Sequence, residues 1–106
     1  MRTSLRDGLK TALKTRDRVA VSALRSALAA IENAEAVPVG AASEPSVGVG
    51  TAEADRRVLT DADLRSIIER EVEERTSAAE EYVRHGRSDV AEGLRAEAEV
   101  LRRYLG

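Results

Sequence analysis

The amino-acid sequence predicts an all-α domain in which four helices form two helical hairpins. Apolar residues recur at the spacing of an amphipathic helix in four stretches of the 106-residue chain. The chain has no Cys, Trp or Phe and only two Tyr, so its core must be aliphatic and thin, which suits helices packed closely over Ala. Both prolines and three of the seven glycines lie in one central segment, residues 37–58, which separates the two hairpins. We expect residues 1–106 to form a single domain.

The first helix is predicted over residues 3–14. Three leucines recur there every four residues and form one face: Leu5, Leu9 and Leu13. Thr3 or Ser4 is expected to cap the N-terminus, because a side-chain hydroxyl can accept a hydrogen bond from a free backbone N–H of the first turn. Gly8 lies inside this helix and costs about 1 kcal/mol relative to Ala, so the helix depends on packing for its stability.

The second helix is predicted from Asp17, its expected N-cap, to Glu35. Small and branched apolar residues share one of its faces: Ala20, Leu24, Ala27, Leu28 and Ile31. Residues 37–58 then lose the helical period, and Pro38 and Pro45 exclude a continuous helix. Because so long a stretch without regular structure is unusual inside a compact domain, we predict a flexible insertion between the second and third helices.

The third helix is predicted to follow Thr60, a good N-cap, with Asp61 and Asp63 placing negative charge in its first turn. It is expected to end at Gly86, since glycine readily adopts the left-handed conformation that closes many helices. Its apolar stripe consists of Leu64, Ile67, Ile68, Val72, Ala79, Tyr82 and Val83. Ser88 is expected to cap the fourth helix. The apolar face of that helix consists of Val90, Leu94, Leu101 and Leu105.

Opposite charges recur four residues apart on the third and fourth helices. The pairs are Arg70–Glu74, Glu71–Arg75, Glu80–Arg84 and Arg95–Glu99. Each would add about 0.3 kcal/mol to an exposed helix. Since nothing in the sequence brings two of these carboxylates into a desolvated cleft, we interpret them as a solvated surface and not as a catalytic pair.

Seven cations make the first part of the chain basic, although its formal net charge is −2. They are Arg2, Arg6, Lys10, Lys14, Arg16, Arg18 and Arg25. The first four recur every four residues along the first helix, and the others follow at the corner and on the second helix. Such a stripe can hold RNA phosphates without regard to sequence. It is also typical, and more commonly so, of the solvated face of an amphipathic helix, and both interpretations stay open.

The sequence lacks the motifs of several classes of site. His85 is the only histidine and there is no Cys, which excludes a two-histidine metal site and thiolate chemistry. There is no Gly-Lys-Ser/Thr phosphate loop and no dinucleotide fingerprint. We therefore expect no catalytic residue, no cofactor and no metal.

The two tyrosines are expected to anchor the edge of the core, with the ring inward and the hydroxyl outward. Tyr82 and Tyr104 cannot supply the row of aromatic rings on which single-strand binding modules stack bases. No apolar run approaches the ~20 residues of a membrane span, and the N-terminus lacks the apolar region of a signal peptide. These features predict a cytoplasmic protein without a membrane partner.

Two stretches resemble the GatB/YqeY-domain family. Residues 14–33 read KTRDRVAVSALRSALAAIEN and are similar to the family pattern of Lys-x-x-Asp, Ser/Thr-x-Leu-Arg and Leu-x-Ala-Ile-x-Asn. Further motifs follow between residues 59 and 105, in the order and spacing of the family: Ile68-Glu-Arg-Glu71, Ser77-Ala-x-Glu-x-Tyr82, Gly86-Arg87-x-Asp89 and Tyr104-Leu105. The resemblance is to the small stand-alone YqeY-like proteins, and it covers the chain apart from residues 37–58.

The resemblance implies the fold of the helical domain in the B subunit of the tRNA-dependent amidotransferase. In that enzyme, phosphorylation and amidation of the tRNA belong to a separate domain, so the resemblance implies no catalytic residue here. The sequence ends at Leu105-Gly106, where family members usually continue into a small tail domain that helps to hold tRNA. We therefore expect the helical domain without that tail.

Three functions follow as hypotheses. The leading one is a non-catalytic helical module that binds tRNA or a tRNA-linked protein, with RNA phosphates on the seven cations. The second is a protein–protein interaction module unrelated to RNA, which would use an aliphatic groove between the hairpins or the Pro/Gly-rich segment. The third is a component of a carbon–nitrogen ligase that takes its amide nitrogen from glutamine, as the family relationship suggests.

Overall fold

The computed structural model describes residues 1–36 and 58–106, which form four α-helices. The helices are α1 Arg2–Thr15, α2 Arg18–Ala36, α3 Asp61–Arg84 and α4 Ser88–Arg102. Helices α1 and α2 form one hairpin, and α3 and α4 form the other, as the sequence predicts. The predicted flexible insertion lies outside the described residues apart from Val58, which is exposed.

One aliphatic core joins the two hairpins. Its largest fully buried side chains come from all four helices: Leu5, Leu24, Ile31, Ile68 and Leu101. Helix α2 is central to the described helices, since it packs against α1, α3 and α4. Ala23 and Ala27 of α2 are fully buried, and their small side chains allow neighbouring helices to approach closely. The alanine-rich core predicted from composition is thereby confirmed.

The corner between α1 and α2 is closed by a left-handed residue and a side-chain cap. Arg16 has φ 59° and ψ 38°, and its N–H donates to the Leu13 carbonyl at 3.3 Å. The N–H of Asp17 donates to the Ala12 carbonyl at 2.9 Å, which completes the pair of bonds of a Schellman motif. Asp17 then caps α2 as predicted, because its Oδ1 accepts a bond from the Ala20 N–H at 3.1 Å.

Replacing Arg16 by Gly is expected to raise the free energy of unfolding by about 0.5–1 kcal/mol. The left-handed conformation costs free energy for a residue with a side chain, whereas glycine adopts it readily. The greater conformational entropy of the unfolded variant offsets part of this gain in stability. Urea denaturation followed by far-UV circular dichroism measures the change. Arg25→Gly is the control and should lose stability, because Arg25 is exposed and lies in the interior of helix α2. A loss of stability in Arg16→Gly would contradict the prediction.

Two predicted N-caps are wrong because each helix begins earlier than the pattern suggests. Helix α1 begins at Arg2, so Thr3 and Ser4 already lie inside its first turn. Helix α4 begins at Ser88 itself, with Arg87 in the capping position. In both helices no side chain bonds the free N–H groups from the capping position.

Both ends of α3 are closed as the sequence predicts. The Thr60 Oγ1 accepts a bond from the Asp63 N–H at 3.1 Å, and the Asp63 Oδ2 accepts one from the Thr60 N–H at 2.9 Å. These reciprocal bonds form a complete capping box. At the other end Gly86 has φ 76°, and the N–H of Arg87 donates to the Tyr82 carbonyl at 2.8 Å. The α3–α4 turn is therefore a second Schellman motif, here with glycine in the left-handed position.

Tyr104 packs over Gly8 and links the C-terminal turn to α1. A methyl group at Gly8 would overlap the Tyr104 hydroxyl and lie 3.3 Å from the Leu24 Cδ1. The Tyr104 side chain is half-buried against the core, which confirms its predicted place at the core edge. Gly8 thus permits a close approach that any larger residue would prevent.

Candidate nucleic-acid interface

The cations predicted to bind RNA all lie in the α1–α2 hairpin. Six of them are exposed: Arg6, Lys10, Lys14, Arg16, Arg18 and Arg25. None of these six forms an ion pair with another residue in the described ranges. Their positive charge is therefore available to a ligand on this hairpin.

Arg2 differs from the other six because it is paired within the protein. Its Nη1 lies 2.6 Å from the Glu35 Oε2, and the two side chains are 27% and 22% exposed. This ion pair joins the first turn of α1 to the last turn of α2 and closes the open end of the hairpin. An RNA contact by Arg2 stays a prediction, and we restrict the candidate interface to the six exposed cations.

Three of the exposed cations follow one another along α1. Arg6, Lys10 and Lys14 are four residues apart, which separates successive charges by about 6 Å along the helix axis. Helix α1 contains one acidic residue, Asp7. We call the row formed by Arg6, Lys10 and Lys14 the basic edge; it presents positive charge over about 12 Å.

The basic edge leads into a groove at the α1–α2 corner, which we call the corner groove. It has a volume of about 660 Å³ and is lined by Leu13, Arg16, Arg18, Val21, Ser22 and Arg25. Leu13 was expected on the buried face of α1 with Leu5, but its side chain is 47% exposed. The packing of α1 is almost entirely with α2, so no described helix covers Leu13. The structure thus places three guanidinium groups around a small apolar floor.

A polar network that sequence reasoning missed joins α2, α3 and α4. Arg75 Nη1 donates to the Glu71 Oε1 at 3.0 Å, and Arg75 Nε donates to the Glu97 Oε1 at 2.9 Å. The Ser26 hydroxyl also donates to the Glu71 Oε1, at 2.8 Å. The Arg75 and Glu71 side chains are each 12% exposed. Helical spacing predicted the Glu71–Arg75 pair, but the partners on α2 and α4 carry no local signal in the sequence.

The other three predicted ion pairs do not form in the described part of the chain, and two of them are replaced by different pairs. Arg84 pairs with Glu81, one turn back, and not with Glu80. Glu99 pairs with Arg102, at 3.5 Å, and not with Arg95. Arg70 and Glu74 form no ion pair with each other. All of these charges are exposed, so their pairing contributes little to stability.

The tip of the α3–α4 hairpin is exposed throughout residues 81–89. Tyr82 is 41% exposed and, unlike Tyr104, does not pack against the core cluster of the described residues, so its predicted place at the edge of the core is wrong. The exposed charges there are locally paired. A hydrogen bond to Glu81 raises the pKa of Arg84, and a hydrogen bond from the Arg87 guanidinium lowers the pKa of Asp89. His85 caps α3 and its Nδ1 lies 2.8 Å from the Glu81 carbonyl oxygen.

Residues 1–36 and 58–106 lack two further features, a metal-binding cluster and a membrane-spanning helix. No group of three or more His, Cys, Asp or Glu side chains there could hold a metal ion. No helix there is both long and apolar enough to cross a membrane.

Comparison with known proteins identifies the family. The model of the Yqey-like protein family matches residues 2–106, nearly the whole chain. No curated protein and no solved structure matches the chain. The match extends over both hairpins, in agreement with the motifs between residues 14 and 105. The chain therefore belongs to the YqeY-like protein family.

Proposed function

We propose that this chain is a non-catalytic module that binds structured RNA, with tRNA as the first candidate. The observation that carries the proposal is the set of six exposed cations on one hairpin, without a carboxylate partner among the described residues. The similarity of the family to the helical domain of a tRNA-dependent amidotransferase supports tRNA over other structured RNAs.

The charge distribution favours binding of the RNA to the first hairpin over binding to the second. Residues 1–36 contain seven Lys and Arg against four Asp and Glu, whereas residues 60–106 contain eight against twelve. A polyanion is therefore attracted to the first hairpin and repelled by the second. Contacts between Lys or Arg and phosphates release condensed counterions, so this mode of binding is independent of base sequence and weakens with salt.

Electrophoretic mobility shift with bulk tRNA over a salt series tests the proposal. With six phosphate contacts, the logarithm of the affinity should fall against the logarithm of salt concentration with a slope of about −4 to −5. Reversing the basic edge in the triple variant Arg6→Glu, Lys10→Glu and Lys14→Glu should reduce that slope by about half and weaken binding at low salt by more than about tenfold.

The matched control reverses three exposed cations of the other hairpin, in the triple variant Arg70→Glu, Arg95→Glu and Arg102→Glu. Both triple variants change the net charge equally, so a local interface predicts that the control keeps the wild-type slope. Circular dichroism spectra establish that both variants retain their helices. No shift of tRNA by the wild-type protein at low salt, or equal losses in the two variants, would refute the proposal.

A further inference from the structure

The corner groove has an apolar floor that phosphate binding does not require. Cations along a helix suffice to hold a backbone, as the basic edge does. In the groove, Leu13 is 47% exposed and Val21 is half-buried, and three guanidinium groups surround them. A ligand that fills this groove must therefore combine an anionic group with a flat or apolar one.

The two hairpin corners differ at one position. Both end their first helix in a Schellman motif, and the left-handed residue is Gly86 in one and Arg16 in the other. Glycine is the residue that this position favours, whereas a side chain there carries a conformational cost. Non-glycine residues held in that conformation cluster at ligand sites. The Arg16 side chain lines the groove. The residue that bears this conformational cost therefore also places a guanidinium group at the rim of the groove.

We infer that the corner groove binds a single unpaired nucleotide of an RNA loop or end. This inference rests on the proposed RNA binding and adds the part of the RNA that is recognised. Arg side chains suit a nucleotide because the planar guanidinium can bond a phosphate with two N–H groups and can also stack on a base. Leu13 and Val21 offer an apolar surface to the face of the base, and the Ser22 hydroxyl can bond its edge.

Size and continuity favour a nucleotide over a peptide helix. A volume of about 660 Å³ falls within the range of small-molecule pockets. A peptide helix needs a row of apolar anchor sites one turn apart, and the floor here provides room for one anchor. The basic edge ends at Lys14, two residues before Arg16. An RNA backbone that follows α1 would therefore reach the groove at its end.

Fluorescence anisotropy with three labelled RNA hairpins tests the inference. One hairpin is blunt, one carries a short 3′ overhang, and one carries an overhang of the same length made of abasic nucleotides. The abasic overhang supplies the same phosphates without bases. The wild-type protein should bind the natural overhang about two- to fivefold more tightly than the abasic one, as expected when a base stacks on a guanidinium group at an exposed site.

Two variants identify the groove as the origin of the difference. Leu13→Ala removes part of the apolar floor without changing charge, and should abolish the preference for the natural overhang over the abasic one. Val83→Ala is the control, since Val83 is 44% exposed and lies at the far end of α3. This variant should keep the full preference. Thermal denaturation establishes that both variants are folded at the temperature of the assay.

The outcomes separate this inference from the proposed function. Equal affinity of the wild-type protein for the natural and abasic overhangs overturns the inference and leaves RNA binding through phosphates intact. A preference that Leu13→Ala retains places the base elsewhere and also overturns it. If none of the hairpins binds, the proposed function fails as well. If instead a peptide of alternating Glu and Leu binds and Leu13→Ala removes that binding, the groove is a protein-docking site and this inference is overturned, while the tRNA assay decides the proposed function separately.

Discussion

Replacing Arg75 by Ala is expected to lower the free energy of unfolding by about 2–3 kcal/mol. This loss is smaller than that for a fully buried ion pair, because the side chains retain some exposure. Arg75 bonds Glu71 on its own helix and Glu97 on α4. Without the guanidinium, two carboxylates that are 12% and 21% exposed lose their cation in a place where water solvates them poorly. Urea denaturation followed by far-UV circular dichroism measures the change.

Arg84→Ala is the matched control for this prediction, because Arg84 also pairs with a Glu on α3 but is exposed. Its loss of stability should be small compared with that of Arg75→Ala, because an exposed ion pair contributes little. Adding Glu97→Gln to Arg75→Ala should recover stability, since it removes one of the two unpaired charges, whereas Glu97→Gln alone should cost stability. Equal losses for Arg75→Ala and Arg84→Ala would show that burial does not strengthen the network.

Replacing Gly8 by Ala is expected to destabilise the protein by about 1–2 kcal/mol, although helix propensity alone predicts a gain of about 1 kcal/mol. The new methyl group would overlap the Tyr104 hydroxyl and crowd the Leu24 Cδ1. Either the Tyr104 ring leaves the core edge or α1 shifts from α2, and both changes expose apolar surface. Chemical denaturation of the variant measures the net effect.

Gly93→Ala provides the matched control, because Gly93 lies within α4 and a methyl group there would meet nothing within 4 Å. This variant should gain about 0.5–1 kcal/mol from helix propensity. Combining Gly8→Ala with Tyr104→Phe should reduce the loss, since the overlapping hydroxyl is then absent. If both glycine variants gain stability, the contact between Gly8 and Tyr104 does not constrain the fold.

The sequence predicted the helices well because their signals are local. The apolar period, the capping box at Thr60 and the glycine at Gly86 each act within one or two turns, and the structure confirms them. Local signals place the start of α1 incorrectly, because the hydroxyls of Thr3 and Ser4 resemble caps, whereas the helix begins at Arg2 without a side-chain cap.

The sequence could not predict which apolar side chains are covered by another helix, because that depends on how far the neighbouring helices extend. A helical period shows that Tyr82 and Leu13 share faces with buried residues, but not whether another helix covers them. Ala79 and Ala91 are buried near the α3–α4 turn outside the main core cluster, and residues 81–89 beyond them are exposed. Likewise the spacing of residues along α1 predicts the basic edge of the candidate interface. The corner groove is instead lined by residues of α1, of α2 and of the corner between them, and no local pattern predicts the left-handed conformation of Arg16.

The attachment of α1 bears on how binding and folding are linked. Helix α1 is held almost entirely by α2, with the Arg2–Glu35 ion pair at one end and the Gly8–Tyr104 contact between α1 and the C-terminal turn. A helix with a single extensive neighbour can open locally while the rest of the core stays intact. Because the basic edge lies on that helix, a ligand bound there also opposes the local opening of α1. Tighter binding of the ligand and higher local stability of α1 are therefore thermodynamically linked.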